Sequence, residues 1–475
     1  MNQQENSLNQ AEIRTAESKG KVRGTEKVSY FFGNLGELTA ASIMSSFLLI
    51  FYTDIVKLNP AAVGTLFLIA RIFDSVNDVF IGYIIDHLPA TRWGRFRPWV
   101  AVLGIIAAVN FCVLWLGPSM ATTGKLAIAY VTYLLMGITY SGMDVSLGSL
   151  LPCMTYDDKE RNSLSIVKGL ATIIGNGIPV VVMVPLVAMF PTPRQGYHTI
   201  IVVVSILTLI FTAICAAGVR ERVVPAKKEK YPVSVTLKIL FKTPPIAVYF
   251  LAVFTIMAGM QIRGGSVMYY LTYNLGNAGL MSAFSAGTLV AMLLGIVVFP
   301  KIATKTEKKY VMVACFIITA VGFLSTYLIP YKYVTLIILS NAFACFGEGG
   351  FTAVYSALQA DLVDYVEWKH GYRAEGAVVS LNAFVMKLGM ALGGAVPAYI
   401  LAMYGYQTGS AKQSPATLSG ILSGMSTIPF VLVIVGLVIL CFMKLSKSEM
   451  QKIREELSSR SNSSAEKTVE EVPAV

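Results

Sequence analysis

The chain has 475 residues, of which 55% are hydrophobic and only 14% are charged, and its formal net charge at pH 7 is +11. Its mean hydropathy of +0.64 is that of a polytopic membrane protein rather than of a water-soluble domain. The basic residues are scattered over short loops, which argues against a nucleic-acid-binding protein.

Apolar segments of roughly 20 residues or more recur along the chain, and about 20 residues suffice to cross a hydrocarbon core of about 30 Å. The segments are continuous rather than alternating, so we predict helices, which satisfy their own backbone groups in lipid. The expected fold class is an all-α membrane protein with twelve transmembrane helices. The predicted segments, numbered 1 to 12 in chain order, are residues 30–54, 61–87, 98–117, 126–151, 162–190, 197–219, 245–272, 279–304, 309–329, 333–358, 376–403 and 416–444.

The longest polar interruption inside the membrane region divides these segments six and six, a plan typical of two six-helix bundles around a midplane site. Both tails are rich in polar residues, and we predict disorder before residue 29 and after Lys447. The predicted organisation is a disordered cytoplasmic N-terminus at 1–28, a bundle at 29–219, a basic cytoplasmic central loop at 220–244, a second bundle at 245–444 and a cytoplasmic tail at 445–475.

Basic residues concentrate in or beside every second loop, including the hairpin of Arg92, Arg95 and Arg97 after segment 2. This bias places those loops and both termini in the cytoplasm. The charges of the hairpin are suited to pairing with helix ends. No cleavable signal peptide is evident, because the first 28 residues are polar, and the six cysteines lack pairing or metal spacing, so we expect free thiols.

Segment 2 carries charges within a stretch long enough to span a bilayer, TLFLIARIFDSVNDVFIGYII at residues 65–85. Arg71, Asp74 and Asp78 stand at helical steps of three and four, so they share one face. A structural ion pair is one interpretation, but a single arginine cannot neutralise two buried carboxylates. The oxygens of Asp74, Asn77 and Asp78 suit a small cation or a proton, so we predict the cation site of a secondary transporter.

Polar residues in other segments are candidates for the same machinery. Ser141 and Asp144 in segment 4 are three residues apart, and Asp144 could bind the cation, a substrate hydroxyl or both, or serve only in packing. Glu37 in segment 1 could bind a substrate hydroxyl, interact with a cationic neighbour or lie in water near the helix mouth. Lys168 and Lys387 could neutralise a carboxylate or donate to sugar hydroxyls, although Lys168 could also extend to the interface.

Segment 7 places Arg263 beside two glycines in MQIRGGSVMYYLTY, which implies a cavity or a locally open helix, because a guanidinium and bare backbone both avoid lipid. Tyr269 could stack on a sugar face or belong to an interfacial belt. Glu348 in segment 10 is a further buried acid to which we assign no role. The three histidines are isolated and there is no Walker loop, so we expect neither an enzyme nor ATP-driven transport.

The stretch YTDIVKLNPAAVGTLFLIARIFDSVNDVFIGYIID, the following TRWGRFRPW, and LVDYVEW, GYRAEG and VMKLGMALGG further along form a recognisable set. They resemble the glycoside–pentoside–hexuronide:cation symporters, the group that includes melibiose permease, over about residues 27–445. The resemblance implies a major facilitator superfamily fold and uptake of a glycoside with H⁺, Na⁺ or Li⁺, without any other cofactor.

The resemblance also implies residue roles. It matches Asp74, Asn77 and Asp78 to the helix 2 part of the family's cation site, Ser141 to a threonine ligand, and Asp144 to an acid shared between sugar and cation. Lys387 matches a lysine near the sugar pocket. The predicted cation-binding set is Asp74, Asn77, Asp78, Ser141 and Asp144, with Asp74 and Asp78 as metal ligands if the ion is Na⁺. The predicted substrate-binding set is Glu37, Asp144, Lys168, Arg263, Tyr269 and Lys387.

Some positions depart from melibiose permease. Gly148 stands where that protein has a tryptophan that stacks on the galactoside, and Lys168 replaces an arginine. Its helix 1 acid aligns with Leu38, one step from Glu37. The RGG and YY pattern of segment 7 resembles the pentoside or xyloside branch instead.

The predicted function is import of a sugar or glycoside by symport with H⁺ or Na⁺ through alternating access. We expect a monomer in the inner membrane of a bacterium, in contact with lipid and not with nucleic acid. A lysolipid or drug transporter on the same fold, and a non-transporting sugar sensor, are the alternatives. Docking of a regulatory phosphocarrier protein on the central loop or tail is left open.

Overall fold

The computed structural model describes residues 22–87, 91, 93–155, 157–222, 243–370, 375–410, 412–443, 449–457 and 459. Side chains at 75, 76, 78–80, 82, 83, 85–87, 158, 356, 370, 375–377, 379, 380 and 383 lie outside this description, and Asp78 is among them. Over the described residues the protein is helical, apart from one isolated β-bridge between Thr91 and Gly94.

Twelve long helices follow one another in the described part of the chain, and each overlaps one predicted segment. Eleven are long and apolar enough to cross a membrane, which makes this a multi-pass membrane protein; α2, which carries three charged residues in its middle, is not counted among them. The helices are α1 Gly24–Ile55, α2 Pro60–His87, α3 Arg97–Met120, α4 Lys125–Met154, α5 Asp158–Ala188, α6 Pro193–Gly218, α7 Pro244–Asn274, α8 Leu280–Lys305, α9 Lys308–Leu328, α10 Val334–His370, α11 Glu375–Met403 and α12 Pro415–Cys441.

The chain divides into two compact units. Unit 1 comprises Met1–Lys227 with the short segments Ala278–Ser282 and Tyr406–Lys412. Unit 2 comprises Lys228–Asn277, Ala283–Gly405 and Gln413–Val475. The main division therefore falls inside the stretch that the sequence marked as a central loop.

Within the tails predicted to be disordered, the described residues 24–28 and 449–457 are helical. Helix α1 already begins at Gly24, and the carboxylate of Glu26, 2% exposed, accepts two hydrogen bonds from Arg222 at 2.9 and 2.7 Å. Residues 449–457 form a further helix, α13. Its Arg454 pairs with Asp361 of α10 at 2.8 Å, so an ion pair and apolar packing order a segment whose composition is that of a tail.

Small residues set the spacing between helices within unit 1. A Cβ added to Gly33 of α1 would lie 2.5 Å from the sulfur of Cys215 in α6, and one added to Gly175 of α5 would lie 2.8 Å from the Cβ of Leu38. Ser42 donates to the carbonyl oxygen of Gly175 at 2.8 Å. Close backbone approach of this kind holds helices together where lipid removes the hydrophobic drive. It packs α1 against both α5 and α6.

Unit 2 repeats several contacts of unit 1. The Tyr30 hydroxyl of α1 donates to the carbonyl oxygen of Leu147 in α4 at 3.1 Å. The Tyr249 hydroxyl of α7 donates in the same way to the carbonyl oxygen of Tyr355 in α10 at 2.8 Å. The first and fourth helices of both units are thus tied by the same kind of hydrogen bond, as expected of an internal repeat.

The N-terminus of α3 and the C-terminus of α6 cap each other. The Glu221 carboxylate, just after α6, accepts from the backbone N–H groups of Arg95, Phe96 and Arg97 at 2.7, 2.8 and 2.9 Å. Arg97 in turn donates to the carbonyl oxygen of Ala216 at 2.8 Å. Carboxylates favour helix N-termini and cations favour C-termini. The expectation that the basic hairpin pairs with helix ends is confirmed for Arg97.

We predict that Glu221→Gln lowers the free energy of unfolding by about 2 kcal/mol, because a charged acceptor of three backbone N–H groups is lost. Glu307→Gln is the matched control, since Glu307 occupies the N-cap of α9 and its side chain makes no capping hydrogen bond. Thermal unfolding of the purified protein in detergent checks both variants. Equal melting temperatures for the two would contradict the capping role.

Candidate functional site

The Asp74 carboxylate of α2 lies directly against α4. A Cβ added to Gly137 would fall 1.9 Å from Asp74 Oδ1, so only a glycine at this position leaves room for the acid. The acid's side chain is 14% exposed. The isolated glycine within LLMGITYSGMD therefore has a packing reason, a close approach between a charged side chain and a neighbouring helix.

Arg71 is the cation beside this acid. Its guanidinium nitrogen lies 3.7 Å from Asp74 Oδ2, and its side chain also interacts electrostatically with Tyr133 of α4. The separation of 3.7 Å is longer than a charge-assisted hydrogen bond, which is about 2.7–2.9 Å. Asp74 is therefore in an ion pair without being locked into a tight bidentate contact.

The next turn of each helix continues the polar stripe. Alternate spans run in the same direction, so position 78 of α2 and Ser141 of α4 each lie one turn beyond the contact of Asp74 with Gly137. Ser141 is half-buried, and Asp144 follows three residues later on α4. The Asp78 side chain lies outside the described residues, so its share in this stripe stays a prediction.

Asn77 is half-buried, and its amide nitrogen is buried without a hydrogen-bond partner among the described residues. A buried amide without a partner is uncommon in native structures and often marks a place where a ligand or water completes the set. Asn77 is next to position 78 in sequence, so this observation lies beside the predicted cation site.

Three predicted residues form a second cluster, from α1, α4 and α5. Glu37 is 8% exposed and interacts electrostatically with both Asp144 and Lys168. The amine of Lys168 lies 4.0 Å from the point where a Cβ on Gly148 would stand. Asp144 is exposed on the surface of unit 1 and also interacts with Tyr30. Helix packing thus brings two acids and one base together. The sequence named these residues as candidates but did not show that they lie near one another.

Three residues that sequence reasoning missed belong to these clusters. Tyr133 interacts with Arg71, and Gly137 admits Asp74. The hydroxyl of Tyr140 on α4 is buried with no hydrogen-bond partner among the described residues, and this side chain interacts electrostatically with Glu37. Only Gly137 left a signal in the sequence, because the tyrosines look like ordinary interfacial or packing residues.

The three predicted substrate residues of unit 2 have different surroundings. Arg263 is 3% exposed and is enclosed by protein groups. Tyr269 is 1% exposed and stacks on Tyr273 with ring centroids 6.4 Å apart. Lys387 on α11 is half-buried. Their common role in substrate binding stays a prediction.

Comparison with known proteins identifies the family of this chain. The family model described as MFS/sugar transport protein matches residues 29–447. The isoprimeverose transporter of Lactiplantibacillus pentosus is 32% identical over 443 residues, which cover 92% of each chain. The glucuronide carrier protein homolog of Escherichia coli (strain K12) is 29% identical over 91% of this chain and 95% of its own.

The fold agrees with that assignment. The D-xylose–proton symporter has a TM-score of 0.64 to this chain at 14% identity, covering 89% of this chain and 98% of the other. At that identity the likeness shows the fold alone, which is that of the major facilitator superfamily. The family expected from the motifs is confirmed: the chain belongs to the MFS/sugar transport proteins, among the glycoside–pentoside–hexuronide:cation symporters, and is a transporter rather than an enzyme.

Proposed function

We propose that this protein imports a sugar or glycoside by symport with a monovalent cation, H⁺ or Na⁺, through alternating access. The observation that carries the proposal is the Asp74 carboxylate packed against Gly137 of α4, with one guanidinium 3.7 Å away. A carboxylate inside a membrane-spanning helix needs compensation, and in sequence the stretch 71–78 holds one base, Arg71, against the two acids Asp74 and Asp78. A mobile cation supplies the remaining charge.

The cation set in this proposal is Asp74, Asn77, Asp78, Ser141 and Asp144, with Asp74 and Asp78 as metal ligands if the ion is Na⁺. Carboxylate, amide and hydroxyl oxygens are hard ligands that suit an alkali cation, and the carboxylates suit a proton equally well. Binding of the ion neutralises the α2 acids and fixes the charge around Asp144. The same residue lies in the cluster with Glu37 and Lys168, so it links ion and sugar.

The sugar set in unit 1 is Glu37, Asp144 and Lys168, and Tyr269 and Lys387 are the proposed residues of unit 2. Carboxylates accept from sugar hydroxyls and an ammonium group donates to them. Gly148 leaves open space beside the Lys168 amine, so hydroxyl recognition rather than aromatic stacking is expected there. Since one relative is named an isoprimeverose transporter, we propose a pentose-containing glycoside as the substrate class.

The setting follows from the charge distribution. We propose the inner membrane of a bacterium, with both termini in the cytoplasm, because the basic residues concentrate in every second loop. A monomer is proposed as the working unit, and the central loop or tail as the place where a phosphocarrier protein would dock. Counterflow of a panel of sugars in vesicles, with Na⁺, Li⁺ or only protons present, identifies the substrate and the ion together.

We predict that Asp74→Asn abolishes cation-driven accumulation of the sugar but leaves sugar counterflow within about threefold of the parent. Losing a ligand of the ion should uncouple transport without removing sugar contacts, and the coupling at stake is typically 5–150-fold in affinity. Asp144→Asn is the contrasting variant and should lose both activities, because it serves both ligands. The measurement is uptake and counterflow in the same vesicle preparation. Unchanged cation dependence in both Asp74→Asn and Asp78→Asn would exclude this mechanism.

We further predict that Gly137→Ala weakens cation activation of transport by roughly 10–100-fold, the range seen when groups that orient metal ligands are changed. The added methyl group would occupy the position of Asp74 Oδ1 and force the carboxylate away. Gly169→Ala is the matched control, since a Cβ there meets nothing within 4 Å. Cation titration of counterflow compares the two. Similar half-saturation concentrations would show that the contact with α4 does not place Asp74.

A further inference from the structure

Arg263 of α7 is surrounded by groups of unit 2. One of its terminal nitrogens donates to the carbonyl oxygen of Met425 in α12 at 2.9 Å, and the other donates to Asn341 of α10. The guanidinium carbon lies 4.7 Å from the centre of the Phe323 ring and 5.9 Å from that of Phe284. Cation–π contacts and hydrogen bonds thus occupy the guanidinium on several sides.

A chain of polar side chains leads from Arg263 to a buried acid. The Asn341 amide donates to the hydroxyl of Thr288 in α8 at 2.8 Å, and the Cys345 thiol lies 3.6 Å from the same hydroxyl. Cys345 also interacts with Glu348, which stands three residues further along α10 and is 7% exposed. The network therefore spans α7, α8, α10 and α12 and ends on a carboxyl group to which the sequence gave no role.

Elementary electrostatics assigns the charge state of this network. An arginine side chain does not lose its proton in a protein, so a buried Arg263 stays cationic. A buried cation needs a counter-charge, and removing one partner of a buried pair is strongly destabilising. Glu348 is the one carboxylate of the described residues that interacts electrostatically with Arg263. No described cation forms a direct ion pair with Glu348, so the attraction acts across the bridging side chains.

We propose that Glu348 is the buried counter-ion of Arg263, and that the pair positions α12 within unit 2 instead of binding the sugar. The acceptor of Arg263 is informative, because Met425 lies in the π-helical turn Ser423–Thr427. A π-turn disrupts the regular ladder of backbone bonds, and side chains from neighbouring helices satisfy the groups it frees. Ser426 of the same turn donates to the carbonyl oxygen of Phe323 in α9. Arg263 thus holds an irregular turn whose shape α9 also supports.

The proposal is tested with Arg263→Gln, Glu348→Gln and the double variant. Each single variant leaves one buried charge without its partner, so each should cut the amount of folded protein and the maximal transport rate by about tenfold or more. The double variant is neutral at both positions and should return both quantities to within about threefold of the parent. KM for the sugar should change less than twofold in all three. No recovery in the double variant, including failure of all three to fold, overturns the proposal.

Lys387→Gln serves as the comparison within unit 2, because Lys387 is a proposed sugar residue. It should raise KM, and adding Glu348→Gln should not restore it. If Arg263→Gln instead raises KM severalfold while its melting temperature stays at that of the parent, Arg263 is a sugar residue and the proposal fails. Only the transport measurement rests on the proposed function. The amount of folded protein and the melting temperature test the pair of Arg263 and Glu348 without any transport assay. Failure of the charge pair is therefore distinguishable from failure of the proposed transport function.

Discussion

An ionised side chain inside a membrane-spanning helix needs a compensating charge or polar partner, from the protein or from a bound ion, and both units show this constraint. Lipid offers neither water nor counter-ions, so an uncompensated charge there costs several kcal/mol. In unit 1, a guanidinium nitrogen of Arg71 lies 3.7 Å from a carboxylate oxygen of Asp74, and Lys168 interacts electrostatically with Glu37. In unit 2, the positive charge of Arg263 is buried among carbonyl, amide and aromatic groups.

Close helix packing is what allows the charges to meet. Gly137 admits the Asp74 carboxylate to the surface of α4, and Gly175 admits α1 to α5. Unit 2 uses the same device, since a Cβ on Gly393 of α11 would lie 2.6 Å from the Cβ of Gln261 in α7. In all three contacts the small residue makes room for a neighbour that carries or flanks polar groups. The positions of the polar groups in this fold therefore depend on where small residues allow helices to approach closely.

Much of the fold could be predicted from the sequence, because a helix in lipid requires a run of apolar residues. Each run can be recognised locally, without knowing how the helices pack. The twelve segments, the family and the charged stripe of α2 follow from such local patterns. The start of α1 at Gly24 and the helix at 449–457 could not be predicted. Each is held by an ion pair with a residue distant in sequence, Glu26 with Arg222 and Arg454 with Asp361. Composition alone gave no sign of these partners.

The candidate site was predictable in its residue types and not in its grouping. Steps of three and four along α2 predict which acids share a face, since they depend only on helix geometry. That Asp74 meets Gly137, or that Glu37 lies near Lys168, depends on how α1, α4 and α5 pack, and one sequence does not contain that information. Arg263 illustrates the limit: its residue type suits sugar binding, whereas its surroundings are those of an enclosed charge.

The two units share a scaffold but not a charge pattern, and this difference bears on where coupling arises. Counting from the matching tyrosines Tyr30 and Tyr249, the position of Glu37 corresponds to Ile256, and that of Arg263 corresponds to Met44. The first helices of the two units therefore carry an acid in unit 1 and a base in unit 2, and each corresponds to an apolar residue in the sequence of the other helix. In unit 2 the proposed counter-ion of Arg263 is part of the protein itself. Among the proposed site residues of unit 1, the four acids Glu37, Asp74, Asp78 and Asp144 outnumber the bases Arg71 and Lys168, and the proposed symport supplies the missing charge as an ion from outside. Under the proposed function, the ion-dependent step would therefore lie in unit 1, whereas the proposed pair of Arg263 and Glu348 would leave unit 2 balanced in charge.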